Sequence, residues 1–594
     1  AIYEEQENHS KAREIYQRIV DEYPDSPLVS DAMVQILETL YREGRHEDVV
    51  KQAGDTLKKA VSDFHVFKTY GFLGDSQMKI GSPADAFYSY AMAYERAEAP
   101  EKERLIPKLK ASSEPLNTSE TLSLLERIEV EAPVSYLLYH LGMGYLKEKK
   151  YADAEKTLSE FVDRFPEHEN ASMAKDTVNE ITKNFLFDHD TIGCLLPLSG
   201  LYKTYGYRVL KGIELALNHF SSLQLNPPVK IVIKDTESDP AKSAFAAEEL
   251  FHDRVAAIIG PIVTVEPAAS AAQNRGIPII TLTQKENVTD IGEFVFRNFL
   301  TPKMQVRTIL SYATEELGLN NFAILYPNEK YGTTFMNLFW DEVIAYGGKV
   351  VGVEAYDTGL TDFADSIKKL VGLYYEIPED IKNLESILSH ETYDYIDYES
   401  VNLDEESEGL DEEEDVGGDE EAEPDPDEEP QAIVDFDGIF IPDSAKKSGL
   451  IIPQLAFYDV KDVYLFGTNL WHSSQLIQMA DQYVQGAVMV DGFFPGSEYD
   501  YVKEFTGTFL ETYNETPGFI EAVAYDTAMI LFQIVGRPNI QSRSAIREEL
   551  LRLGNYPGVT GITAFDTNGE SRKKLFLLRV KGERFVEIKN TRME

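Results

Sequence analysis

Cysteine and basic residues are the scarce components of this sequence. The single cysteine, Cys194, cannot form an intrachain disulfide, and it excludes a structural zinc site built on two or more thiolates. We expect it to be a small buried hydrophobe within the apolar run TIGCLLPL. The 594 residues include 56 basic and 102 acidic ones, which gives a formal net charge of −46. Because such a surface repels phosphate backbones, we predict no nucleic acid partner.

Long apolar runs and catalytic motifs are also missing. The longest apolar candidate, residues 255–265, contains Pro261 and falls short of the roughly 18 residues that a membrane helix needs. HExxH, GxSxG and glycine-rich phosphate loops do not occur. Ser444 and Lys447 match S-x-x-K without its companion motifs, so we interpret Ser444 as a helix cap. His472 has no visible second ligand. The sequence thus indicates a protein that is not an enzyme and has no metal or cofactor.

The first 182 residues repeat themselves. Gly74 and Gly142 occupy equivalent positions 68 residues apart, which is twice a 34-residue period. The residues that match the repeat spacing are Leu73, Gly74, Ala86, Tyr90 and Ala93 in one copy and Leu141, Gly142, Tyr145, Ala154, Leu158 and Pro166 in the other. This spacing is typical of tetratricopeptide repeats, whose stacked helix pairs form a groove for protein partners. A half-copy opens the chain, so we expect that the sequence has lost its beginning.

The period changes after residue 188. Apolar strand-like runs alternate with amphipathic helical stretches, first TIGCLLPL, VKIVIKD, AAIIGP and IPIITLT, then NFAILYP, KVVGVEAY, DFDGIFIP and DVYLFGT. This alternation predicts βαβ units in two Rossmann-like lobes, one at about 188–298 with C-terminal returns and one at about 302–490. The predicted fold class is therefore α + α/β, a helical-repeat arm followed by a two-lobed clamp over 188–594. Ligands would bind between the lobes, at the carboxyl ends of the strands.

Several spaced segments carry a family resemblance. LLPLSGLYKTYGYRVLKGIELALNHF, IIGPIVTVEPAASAAQNRGIPIITLT and AILYPNEKYGTTFMNLF resemble, in matching order, the type I periplasmic binding proteins of the branched-chain amino acid receptor group. With the repeats in front, the chain resembles the penicillin-binding-protein activator lipoproteins, which hold a peptidoglycan synthase active across the periplasm. This resemblance implies a periplasmic protein that is anchored to the outer membrane as a lipoprotein in its full-length form.

The resemblance also implies a ligand site in the cleft. Tyr205 would line one wall, Thr264 would bind a ligand carboxylate through its hydroxyl and amide, and Thr283 would offer backbone groups at a strand end. Tyr331 would close the site from the second lobe. Ser444 and Asn469 would lie near it.

The sequence departs from the receptor pattern near Asn469. Amino acid receptors of this family carry an acidic residue there, which neutralises the ammonium of the ligand. Here Thr468 and Asn469 carry no charge, and an unpaired buried ammonium would be costly. Asp443 could replace the missing acid from the preceding strand end. A free amino acid ligand is therefore less favoured.

An acidic low-complexity insert occupies 376–431. Residues 404–429 contain 17 Asp or Glu and no Lys, Arg or His. Strong self-repulsion and few apolar groups predict that this segment is disordered. A solvated loop is one interpretation, and weak calcium capture or docking to a basic partner is the other.

Two functions remain open. The first is a scaffold or activator that contacts a peptidoglycan synthase or another envelope protein through its arm. The second is a solute receptor of the branched-chain amino acid ABC transporter type, which would close on an amino acid, a peptide or another small anion. The arm favours the scaffold, because a freely diffusing receptor needs no groove for proteins. An enzyme on this fold would lack a nucleophile or a metal cluster.

Overall fold

Helices make up the first part of the computed structural model, which describes residues 8–223, 228–374 and 431–589. The arm helices are α1 His9–Glu22, α2 Val29–Arg42, α3 His46–Lys59, α4 Asp63–Lys79, α5 Pro83–Arg96, α6 Ala99–Ser113, α7 Thr118–Leu125, α8 Glu131–Lys147, α9 Tyr151–Arg164 and α10 Ala171–Asn184. They pack in consecutive pairs, as the predicted repeats require.

The glycines of the repeat mark the close approaches within these pairs. A Cβ on Gly74 would lie 2.6 Å from the ring of Tyr90, and one on Gly142 would lie 2.5 Å from Leu158. Local capping helps to set where helices begin. The Ser62 hydroxyl accepts a hydrogen bond from the amide of His65 at the start of α4, and Asn117 forms a capping box with Glu120 at α7.

The first lobe is built on a five-stranded parallel sheet with the order β2-β1-β3-β4-β5. Its strands are β1 Thr191–Leu196, β2 Lys230–Asp235, β3 Ala257–Ile259, β4 Ile279–Thr281 and β5 Val295–Arg297. The helices between them are α11 Lys203–Ser222, α12 Pro240–His252 and α13 Val265–Asn274. Cys194 lies fully buried in β1, and burial raises its pKa to about 12.

The second lobe is built on a seven-stranded sheet with the order β15-β14-β10-β9-β8-β6-β7. Its parallel strands are β6 Asn321–Pro327, β7 Lys349–Tyr356, β8 Gly438–Ile441, β9 Tyr464–Gly467 and β10 Val488–Asp491. The antiparallel strands are β14 Phe576–Lys581 and β15 Arg584–Glu587. The helices are α14 Pro302–Ser311, α15 Lys330–Ala345, α16 Ala364–Leu370, α17 Ala445–Phe457 and α18 Ser474–Ala480. This lobe therefore continues beyond residue 490, because β14 and β15 join its sheet.

The chain returns to the first lobe between β10 and β14. This return contains α19 Asp500–Tyr513, α20 Phe519–Val535 and α21 Arg543–Leu551, and a small sheet of β11 Tyr556–Gly558, β12 Gly561–Phe565 and β13 Ser571–Lys573. Helix α20 packs along α11, and Glu570 pairs with Arg297 of β5. Three connections thus join the two lobes, after β5, after β10 and after β13.

The arm is attached to the first lobe at the end of α10. Fully buried Arg543 donates to the carbonyl oxygens of Lys183 in the arm (2.8 Å) and Val255 in the lobe (2.8 Å and 3.1 Å). Ser544 donates to the side chain of Asn184 at 2.7 Å.

Residues 376–430 of the acidic insert, with their predicted disorder, lie outside the described residues. The described flanks meet: the amide of Ile433 donates to the carbonyl oxygen of Val371 at 3.0 Å. The insert therefore leaves and re-enters the second lobe at neighbouring points.

Candidate functional site

The carboxyl ends of the strands in the first lobe carry three of the predicted site residues. Tyr205 lies in the first turn of α11 and is 44% exposed. Thr264 precedes α13 in the left-handed conformation, with φ 56° and ψ 43°. Its hydroxyl donates to the carbonyl oxygen of Val263 at 2.6 Å. Thr283 follows β4, is largely buried, and accepts a hydrogen bond from the amide of Lys285 at 3.2 Å.

Asp235, at the end of β2, was missed by the sequence reasoning. Its carboxylate accepts from the amides of Leu198 (2.9 Å) and Ser199 (3.2 Å), and so it fixes the loop that leads into α11. Burial alone would raise the pKa of Asp235, but hydrogen bonds from Ser199, Glu237 and Leu198 outweigh it and lower that pKa. An acid directly after an apolar strand was the available signal.

In the second lobe, Tyr331 and Thr468 form one contact of the candidate site. The hydroxyls of the two residues lie 3.0 Å apart, and Thr468 is fully buried. Burial raises the pKa of Tyr331 above its ordinary value, so its phenol is neutral and can donate a hydrogen bond well beyond neutral pH. Asn469 follows directly, and its amide donates to the side-chain oxygen of Gln305 at 2.9 Å.

Asp443 and Ser444 lie after β8. The carboxylate of Asp443 accepts from the hydroxyl of Tyr356 at 2.8 Å and from the amide of Ser444 at 2.5 Å. Ser444 caps α17, since its hydroxyl accepts from the amide of Lys447 at 3.4 Å. Both oxygens of Asp443 thus already have a partner. Sequence reasoning did not find Tyr356, which is distant in the chain.

The end of β10 holds a further polar pair. Nδ1 of His472 lies 2.6 Å from a carboxylate oxygen of Asp491, whose other oxygen accepts from the amide of Gly492 at 2.6 Å. The sequence offered no partner for His472, because Asp491 follows it by 19 residues, at the end of β10.

The seven predicted residues therefore fall into two groups, one near the strand ends of each lobe. Tyr331, Asp443, Ser444 and Asn469 cluster in the second lobe, while Tyr205, Thr264 and Thr283 lie in the first. Within the described ranges, no hydrogen bond or ion pair links the two groups. Their strand-end positions allow a ligand to be contacted from both sides.

The arm carries a separate concave surface. A groove of about 630 Å³ lies between α4 and α6. Phe64, which is 58% exposed, Phe67 and Phe72 supply apolar area, and four basic and four acidic side chains add charge of both signs. A Cβ at Gly71, in the same groove, would meet nothing within 4 Å, so the backbone here is open to a partner.

Fold and cleft together define a two-lobed clamp of the periplasmic binding type, carried on a helical-repeat arm. Residues 191–372 match the family model of periplasmic binding proteins, and residues 1–26 and 136–168 match that of the tetratricopeptide repeat. The predicted combination of these two parts is confirmed. Periplasmic binding proteins are binding proteins rather than enzymes, and the match supports an extracytoplasmic location. Across the part of the chain that the structure describes, no helix is long and apolar enough to cross a membrane.

Individual proteins resemble the chain at low sequence identity. Leu/Ile/Val-binding protein homolog 3 of Brucella melitensis is 24% identical over 186 residues, which cover 30% of this chain and 50% of that protein. A branched-chain amino acid ABC transporter structure from Rhodospirillum rubrum is 21% identical, with a TM-score of 0.53 over 67% of this chain and 99% of its own, and it confirms the clamp fold. Full-length LpoA from Haemophilus influenzae matches at 13% identity, with a TM-score of 0.43 over 94% of this chain and 88% of its own. The chain matches only half the length of the Brucella protein.

Proposed function

We propose that this protein is an extracytoplasmic, non-enzymatic scaffold that regulates cell-wall synthesis by binding a peptidoglycan synthase through its arm. The observation that carries the proposal is the open, partly aromatic groove between α4 and α6, on an arm locked to the clamp by Arg543. Exposed aromatic side chains in a groove are typical of protein contact sites. Outer-membrane anchoring in the full-length protein belongs to the same proposal.

A retention assay tests the scaffold. The full chain is immobilised and challenged with purified class A penicillin-binding proteins, and Phe64→Glu is expected to weaken retention at least tenfold, because it places a charge in the apolar part of the groove. Phe245→Glu is the matched control, since Phe245 is 66% exposed but lies on α12 of the first lobe. Absence of retention by the unmodified chain would remove the scaffold proposal.

The second candidate is a solute receptor. It is supported by the hydroxyl and amide groups at the strand ends, above all by Thr264 at the amino end of α13, where the helix dipole favours an anionic group. In this proposal Tyr205, Thr264 and Thr283 contact the ligand from one side and Tyr331, Ser444 and Asn469 from the other. Asp443 pairs with an ammonium where the ligand has one.

Thermal unfolding with added solutes tests the receptor. Amino acids, small peptides and muropeptides are screened, and a true ligand at one hundred times its Kd is expected to stabilise the chain by about 2.7 kcal/mol. Asp443→Asn should abolish the effect of a ligand that carries an ammonium, while Asp459→Asn, exposed in the same lobe, should not. No stabilisation by any of these solutes would contradict the receptor.

A further inference from the structure

A second cavity lies in the first lobe, away from the cleft. It has a volume of about 510 Å³, within the usual range for small-molecule sites, and its walls come from α11, α19, α20 and β11. His219 lines it near the end of α11, whereas Tyr205, a residue of the candidate cleft site, lies in the first turn. Fourteen residues at 1.5 Å each separate these positions by roughly 20 Å along the helix. The cavity is thus independent of the interlobe site.

The cavity wall carries four aromatic rings and two carboxylates among apolar and neutral polar side chains. Its rings belong to Tyr501, Phe505, Tyr525 and Tyr556. Glu504, exposed at the rim, makes no ion pair within the described part of the chain. The lining contains neither lysine nor arginine. A cation entering this cavity therefore meets ring faces and a free carboxylate at the rim. The ammonium of Lys573 is not part of the lining and is bonded to the hydroxyl of Thr560, which in turn donates to Asp526.

Two of the tyrosines also leave their hydroxyls open. The Tyr525 hydroxyl is 2.7 Å from Nδ1 of His219, but those of Tyr501 and Tyr556 have no hydrogen-bond partner in the described ranges. Burial is the main factor that raises the pKa of Tyr501, to about 12, and that of Tyr556, and the nearby carboxylate of Asp526 raises both further. These phenols stay neutral and can accept hydrogen bonds from a ligand.

Asp526 forms the floor of the cavity without serving as a free ligand group. Its carboxylate accepts from the amides of Val559 and Thr560 at 2.8 Å each and from the Thr560 hydroxyl at 2.5 Å. Its role is to tie α20 to the small sheet, and its charge is offset by the ammonium of Lys573. Glu504 is left as the carboxylate that a ligand can reach.

We propose that this cavity is a second ligand site, which binds a small organic ammonium ion between the rings of Tyr501 and Tyr556, with Glu504 as its counter-ion. Aromatic faces attract organic cations through their quadrupoles, and the attraction strengthens where water is excluded. An aromatic body fills the apolar part of the cavity, and the ammonium lies toward the rim. The site goes beyond the scaffold and the receptor, since neither uses this face of the first lobe.

Titration calorimetry of the full chain with benzylammonium tests the site. Benzyl alcohol has nearly the same shape without the charge, and N-acetylglucosamine represents a sugar ligand. We expect benzylammonium to bind at least tenfold more tightly than either. Glu504→Gln should weaken it about fivefold through the lost ion pair, and Tyr501→Leu about fivefold through the lost ring face. Glu511→Gln, exposed on the same helix but outside the cavity, should leave the affinity unchanged.

Several results would overturn the proposal. Equal binding of benzyl alcohol and benzylammonium would mean that the cavity selects the ring and not the charge. Preference for N-acetylglucosamine would make it a sugar site. Loss of binding in Asp443→Asn with unchanged binding in Glu504→Gln would move the ligand to the cleft. Glu504 is exposed, so Glu504→Gln keeps the test valid even where Tyr501→Leu reduces stability, which circular dichroism monitors.

Discussion

Arg543 is a buried cation that, in the described part of the chain, has only carbonyl oxygens as hydrogen-bond partners. The rings of Phe187 and Phe251 lie 5.4 Å from its guanidinium, and burial lowers its pKa to about 10. Planar guanidinium groups can serve several carbonyls at once, which a lysine could not do with the same geometry. One side chain therefore bonds to both the arm and the first lobe.

Arg543→Met should reduce the free energy of unfolding by about 3 kcal/mol, because two buried carbonyl groups lose their donors. Urea unfolding followed by circular dichroism measures the effect. Arg547→Met, four residues along α21, removes a partly exposed ion pair and a backbone hydrogen bond with Glu293 and a ring contact with Phe294, and should cost only about 1 kcal/mol. Equal losses in the two variants would show that the buried bonds do not stabilise the joint.

Lys573 and Asp526 form a second buried polar group, next to the last connection between the lobes. The ammonium of Lys573 donates to the hydroxyls of Thr560 (2.7 Å) and Thr563 (2.8 Å), both fully buried. Burial lowers the pKa of Lys573 from 10.5 to about 8, against the opposing attraction of Asp526. Burial also raises the pKa of Asp526.

This pair predicts how stability depends on alkaline pH. Folded Lys573 releases its proton near pH 8, whereas the unfolded chain holds it to about 10.5, so the unfolded state binds more protons between these values. The contribution of Lys573 to the free energy of unfolding should therefore rise from pH 8 to 10.5. Urea unfolding at several pH values measures it.

The double variant Asp526→Asn with Lys573→Met is the reference for that measurement. The difference in the free energy of unfolding between the unmodified chain and this double variant should increase from pH 8 to 10.5. Lys573→Met alone should cost about 3 kcal/mol at neutral pH, because it leaves a buried carboxylate unpaired. A difference that stays flat between pH 8 and 10.5 would contradict the assignment.

At the scale of elements, glycine decides how closely the repeat helices can approach. In α8, Gly142 faces Leu158 so closely that a methyl group would overlap it. In α3, Gly54 is exposed, and a Cβ there would meet nothing within 4 Å. The two positions separate the packing role of glycine from its intrinsic cost in a helix.

Gly142→Ala should reduce the free energy of unfolding of the chain by about 2 kcal/mol through overpacking. Gly54→Ala should instead increase it by up to about 1 kcal/mol, because alanine is the better helix former. Thermal or urea unfolding of both variants provides the comparison. Stabilisation by Gly142→Ala would mean that α8 and α9 pack less tightly than the structure has them.

Most elements were predictable because their signals are local. The repeat spacing gave the helix pairs, and alternation of apolar strands with helices gave the parallel sheets. The assignment of β14 and β15 to the second sheet was not predictable, since pairing of Leu578 with Met489 joins residues 89 positions apart. Such a pairing depends on the route of the chain and leaves no local pattern.

The candidate site was predictable as positions but not as contacts. The strand ends that carry Thr264, Tyr331 and Asn469 follow from the order of the elements. The contact of Tyr331 with Thr468 spans 137 residues, and that of Tyr356 with Asp443 spans 87. No periodicity in the sequence indicates contacts at such sequence separations. The hydrogen-bond partners of Asp443 could therefore be identified only from the structure.

At the scale of the whole molecule, the attachments of the parts differ in kind. The arm meets the first lobe through buried Arg543 and the bond between Ser544 and Asn184. The lobes are joined by three connections. The arm and the first lobe should therefore move as one body. The angle between the two lobes should vary more than the angle between the arm and the first lobe.

Distance measurements between spin labels can test this difference. Met173 on the arm, Phe245 on the first lobe and Phe457 on the second are exposed positions for cysteine substitution. The native Cys194 is fully buried with a pKa of about 12, so it should not react with the label.

The pair 173–245 should give one narrow distance, unchanged by any solute that stabilises the chain in the thermal screen. The pair 245–457 should be broader and should shift with that solute, since closure of the cleft changes the angle between the lobes. Arg543→Met should broaden only the pair 173–245. A broad 173–245 distance in the unmodified chain would mean that the arm swings freely, and the groove would then have no fixed orientation toward the clamp.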